Sequence, residues 1–103
     1  ADFQKQGIEI NLPEQVAEGH YSNLAIISHS PSEFIIDFAT ALPIAEGNVK
    51  SRVILTPEHA KRLLLSLQEN ITRYESNIAK IEIHRNAPLA DDPIINMGPM
   101  GKA

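Results

Sequence analysis

Four histidines, one pair of carboxylates and a run of serines are the residues of this 103-residue chain whose chemistry reaches beyond packing. His20, His29, His59 and His84 have no metal-ligand spacing and share no short element, so surface or helix-cap positions are expected of them. Glu33 and Asp37 fall on the same face of a strand-like run, the placement that paired general acids and bases need. A facing arginine, Arg52, gives Asp37 a simpler use as half of an ion pair. Ser22, Ser28, Ser30 and Ser32 carry hydroxyls, but no base stands near them in sequence and no nucleophile elbow surrounds them. There is no glycine-rich phosphate loop. Cysteine is absent, which removes a thiolate nucleophile, a disulfide framework and cysteine-based metal sites. The expectation is a chain with no catalytic residues, no cofactor and no metal.

The elements that would position these residues are legible. Ile8, Ile10 and Leu12 alternate before Pro13 ends the run, which predicts a short N-terminal strand or docking arm. Tyr21 to His29 reads as a strand with Leu24, Ala25, Ile26 and Ile27 at its centre. Its two faces are almost equally apolar, so its register stays open, and a strand apolar on both faces is usually covered on both. Ser30, Pro31 and Ser32 make a turn. Glu33 to Thr40 alternates Phe34, Ile36 and Phe38 against Glu33, Ile35, Asp37 and Ala39. Pro43 to Asn48 reads as a loop and Val49 to Leu55 as a third strand. Pairing Asp37 with Arg52 sets Ile36 opposite Val53, Phe34 opposite Leu55 and Phe38 opposite Ser51. One face then collects Phe34, Ile36, Phe38, Val53 and Leu55. The other collects Ile35, Asp37, Lys50, Arg52 and Ile54, and a slip of one residue would mix the two sets.

Thr56 to Ile81 is the longest periodic stretch. Thr56 is a good N-cap, Pro57 suits the first helical position, and Glu58 adds a carboxylate in the first turn. Ala60, Leu64, Leu67, Ile71, Tyr74, Ile78 and Ile81 recur at spacings of four and three, with Leu63 widening the stripe. About 25 residues at 1.5 Å each predict a helix of roughly 37 Å, whose seam would pack on the Phe34–Ile36–Phe38 face and extend past it. Lys61, Arg62, Arg73 and Lys80 alternate with Glu58, Glu69 and Glu75 as on a solvated helix face. Asn70 and Asn77 flank the seam, where a polar residue can set the register of a helix pair. Residues 86–103 hold Pro88, Pro93, Gly98, Pro99 and Gly101 and read as an extended tail. Ile94, Ile95, Met97 and Met100 mark that tail as a docking segment, with a disordered tail as the alternative.

The formal net charge of −4 gives no general attraction to phosphate backbones, which argues against nucleic-acid binding. No apolar run reaches the roughly 18 residues of a membrane span, and the first residues lack a secretory pattern. A single cytoplasmic domain is expected.

Three segments resemble one family. They are Gly19-His20-Tyr21-Ser22-Asn23, then Glu33-Phe34-Ile35-Ile36-Asp37-Phe38, then Arg52-Val53-Ile54-Leu55-Thr56-Pro57 followed by Ala60-Lys61 and Asn70 to Glu75. The family is a small bacterial one catalogued as domain of unknown function 3467, and the likeness covers residues 7–83. The resemblance implies an antiparallel sheet followed by one long helix. It supplies no catalytic residues. In one bacterial phylum genes of this family often lie beside those of the large RNA polymerase subunits, which implies a transcription-associated role. A strand meander followed by a long helix is also similar in architecture to SecB-type export chaperones.

The expected fold is α+β, with an antiparallel sheet of three to four strands followed by one long amphipathic helix. An N-terminal arm (1–19) precedes a sheet-plus-helix domain (20–85) and an extended tail (86–103). The expected function is that of a non-enzymatic accessory subunit, a homodimer or part of a larger complex, with RNA polymerase as the candidate partner and a SecB-like holdase as the alternative. Its interface is expected to use Leu64, Leu67, Ile71, Tyr74, Ile78, Ile94, Ile95, Met97 and Met100.

Overall fold

A computed structural model describes residues 7–40, 48–83 and 94–99. In chain order these form α1 (Glu14–Ala17), β1 (Leu24–His29), β2 (Phe34–Thr40), β3 (Asn48–Leu55), α2 (Pro57–Asn77) and β4 (Ile94–Pro99). The architecture is α+β, a four-stranded sheet with one long helix. The strand order is β3-β2-β1-β4.

The central hairpins are antiparallel, and the register expected between β2 and β3 is present. Phe34 faces Leu55, Ile36 faces Val53, Asp37 faces Arg52 and Phe38 faces Ser51. Beyond Phe38 the ladder departs from the regular register. A bulge at Lys50 brings Val49 opposite Ala39. Ala39 is 1% exposed, so the bulge sets an apolar side chain beside the most buried point of the sheet and lifts the lysine out of that place. The register of β1, open in the sequence, follows size. Leu24 pairs with Ala39 and Ala25 with Phe38, each large side chain against a small one, while Ile26 meets Asp37 and Ile27 meets Ile36.

Two expectations about the ends of the chain are corrected. Ile8 to Leu12 form no strand; they lead into α1, where the amides of Val16 and Ala17 donate to the Pro13 carbonyl. Gly19 ends this turn at φ +75°, a left-handed conformation glycine adopts without strain, and its amide donates to the Val16 carbonyl at 3.0 Å. The sheet's remaining edge is filled instead by the segment read as a tail. β4 runs parallel to β1, with Ala25 opposite Ile94 and Ile26 opposite Ile95, so the sheet is mixed and not purely antiparallel. Its proline and glycine suit an edge position, where one side of the ladder needs no partner.

The third correction concerns cover. The face expected under the helix, that of Phe34, Ile36 and Phe38, is not packed by it: among the described elements α2 meets mainly β3, the strand it leaves, and buries none of its own residues. Thr56 alone separates Leu55 from Pro57, so no loop is available to fold the helix back over the sheet. Burial concentrates on the opposite face of the middle strand, at Ile35, Asp37 and Ala39, with Leu55 buried at the start of the helix junction.

Candidate interaction surface

The helix carries the surface. Thr56 holds an extended backbone (φ −67°, ψ 155°), and its Oγ1 accepts the His59 amide at 3.1 Å while its carbonyl accepts the Ala60 amide. Pro57 needs no partner at the first position. The helix runs 21 residues, about 32 Å, and stops at Asn77, short of the expected Ile81. Ile78, Ile81 and Ile83 are β-branched and exposed, so neither propensity nor burial extends the helix through them. The Glu75 carboxylate takes up the Ile81 amide just beyond the end, at 3.1 Å.

Leu64, Leu67, Ile71 and Tyr74 line one stripe of α2 and Ile78 follows at its C-cap, and each is 41% to 69% exposed. Leu63 and Leu65 widen the apolar belt at the same level and are exposed too. Elsewhere the helix surface is self-contained. Arg62 pairs with Glu58 and Arg73 with Glu69, both four residues apart, the latter at 2.6 Å. The Asn70 amide donates to the Ser66 carbonyl and the Thr72 hydroxyl to the Gln68 carbonyl, each at 3.0 Å.

The second expected set, Ile94, Ile95 and Met97, is also exposed, but it lies on β4 at the edge of the sheet opposite the strand that leads into α2. The structure therefore gathers four seam residues and the C-cap Ile78 along one helix and three on one strand, and keeps the two sets apart. Met100 lies outside the described residues. A shallow groove of about 710 Å³ opens beside β1, lined among others by Val16, His20, Ala25, Phe38, Val53 and Ile94. Periodicity gave no sign of this groove, because residues far apart in the chain form it.

The chemistry-bearing residues have structural uses. The Ser22 hydroxyl bridges the carbonyls of Leu24 and Ala39 at 3.0 Å each, tying the start of β1 to the end of β2. Ser30 and Ser32 interact across the β1–β2 turn. His29 stacks on its cross-strand partner Phe34 with ring centroids 5.2 Å apart. His59 serves the helix cap through its backbone, His20 lines the groove, and His84 lies outside the described residues. Arg52 holds Asp37 in a two-point ion pair. Its hydrogen bonds first, and its charge as well, keep the Asp37 carboxyl below its ordinary value against the opposing effect of burial. Among the described residues no three metal-ligating side chains converge, and no helix is long and apolar enough to cross a membrane.

No curated protein and no solved structure matches the chain. One family model does match, over residues 1–83, a span that holds the three antiparallel strands and the whole of α2 and ends before β4. The chain belongs to the family described as Protein of unknown function (DUF3467).

Proposed function

We propose that this chain is a non-enzymatic accessory subunit that works in the cytoplasm by protein association, with α2 as its principal contact. One observation carries this reading: a capped, 21-residue amphipathic helix buries none of its residues. Monomeric proteins rarely leave so continuous an apolar stripe in water, because each large aliphatic side chain gains about 1.5 to 3 kcal/mol on full burial. The ion pair and the serine bonds described above support a structural use of the polar residues. RNA polymerase is the first candidate assembly, on the strength of the gene neighbourhood that the family resemblance brings.

A SecB-like holdase is the second reading, favoured by the open apolar groove beside β1. Affinity purification of the full chain from its source cell at native salt separates the two. An accessory subunit recovers a stoichiometric set of polymerase subunits, and Ile71→Asp abolishes that recovery. Recovery of a broad mixture of unfolded proteins, indifferent to Ile71→Asp, supports the holdase. Recovery of neither sinks both partner assignments.

A further inference from the structure

We infer that α2 packs antiparallel on α2 of a second copy of this chain, in the register that sets Lys61 of each against Glu75 of the other. The inference rests on reading α2 as an association surface and adds its occupant and its direction. The seam spacing of four and three is that of a two-helix interface, with Lys61 and Glu75 in equivalent flanking positions one residue past Ala60 and Tyr74. The helix's other charges are already matched: Arg62 with Glu58 and Arg73 with Glu69. Lys61 makes no ion pair among the described residues, and Glu75 holds only the Ile81 amide. Fourteen residues, about 21 Å of helix, separate Lys61 from Glu75, so the two cannot meet within one chain.

An antiparallel second copy brings them together twice, once on each side of a twofold axis near Glu69. The same register layers Ala60 on Ile78, Leu64 on Tyr74 and Leu67 on Ile71, and in the first two layers a larger side chain faces a smaller one. It also opposes the two helix dipoles. A parallel pair offers none of this. Its flanking contacts would join Leu63 to Gln68 and Asn70 to Glu75, with no cation facing an anion, and Ala60 would meet Ala60 across a gap. Charge complementarity therefore selects a second copy, and selects its direction.

Sedimentation equilibrium on the full chain tests this with Lys61→Glu, Glu75→Lys and the double exchange. Both sites are exposed on the helix surface, and circular dichroism checks that the fold persists. Each single change places like charges together twice and weakens the dimer roughly tenfold. The double exchange restores the original Kd to within about twofold, and molar salt flattens the differences. Direction is read separately, in a chain without native cysteine. Leu64→Cys mixed with Tyr74→Cys forms an interchain disulfide on oxidation, while either variant alone does not, since like positions stand about 15 Å apart. A monomer at all concentrations, a double exchange that fails to restore, or disulfides formed by each variant alone overturns the inference. Any of these leaves the accessory-subunit reading to the purification experiment, which reads other proteins.

Discussion

The guanidinium of Arg52 grips the carboxylate of Asp37 at two points, Nε to Oδ1 at 2.7 Å and Nη2 to Oδ2 at 2.9 Å, across the β2–β3 ladder. Asp37 is 7% exposed in the middle strand, whereas the Arg52 side chain reaches solvent. Arg52→Leu leaves a buried carboxylate without its partner and lowers Tm by roughly 5 to 10 °C. Replacing both residues by leucine recovers most of the loss, because no charge is then stranded. Thermal melts at a fixed protein concentration check this.

The same pair fixes a pH dependence. Asp37 titrates lower in the folded chain than its ordinary value of 3.8. Its contribution to stability is therefore fully present above the unfolded-state value, and it is lost as pH falls through the lower folded-state value. Denaturation midpoints measured from about pH 5 down to pH 2 should fall more steeply for the native chain than for the double-leucine variant. Parallel curves would show that Asp37 carries no such linkage.

Thr56 sets where the helix begins. Thr56→Ala removes the acceptor of the His59 amide and destabilises the chain by about 1 kcal/mol, while Thr56→Ser keeps most of the cap. Urea unfolding followed by far-ultraviolet circular dichroism reads the difference.

The association surface has a built-in control. Ile71 lies on the seam and Leu65 beside it, both exposed in the single chain. Ile71→Asp should raise the self-association Kd by more than about 100-fold, the effect of stranding a carboxylate in an apolar layer. Leu65→Asp, off the seam, should change it by less than about threefold. Equal effects in sedimentation would mean that some other face of α2 is used.

β4 makes a prediction about β1. Removing residues 94–103 frees the edge of β1 that now pairs with β4. Hydrogen exchange should quicken at those β1 amides that point toward β4 and stay slow at the alternate ones held by β2. Unchanged exchange along the whole of β1 would show that β4 does not protect it.

Local chemistry was enough to read most of the central domain. The alternation of Phe34, Ile36 and Phe38, the Asp37–Arg52 pairing and the Thr56-Pro57 cap each depend on neighbours within one hairpin or one turn, so their types and spacing determine the β2–β3 register and the start of α2. The seam of α2 was legible for the same reason, since helical period is a local property. Only the tertiary structure decided the rest. The bulge at Lys50 answers the burial of Ala39, which the hairpin's alternation cannot see. The choice between faces in β1 turned on the sizes of side chains on another strand. Ile8 to Leu12 alternate as a strand does, yet the parallel partner of β1 is the distant Ile94–Pro99, because a strand needs an open edge as well as a pattern. The lack of cover over α2 is likewise a property of the assembled chain: a one-residue junction after Leu55 leads straight into the helix, whose apolar stripe stays exposed.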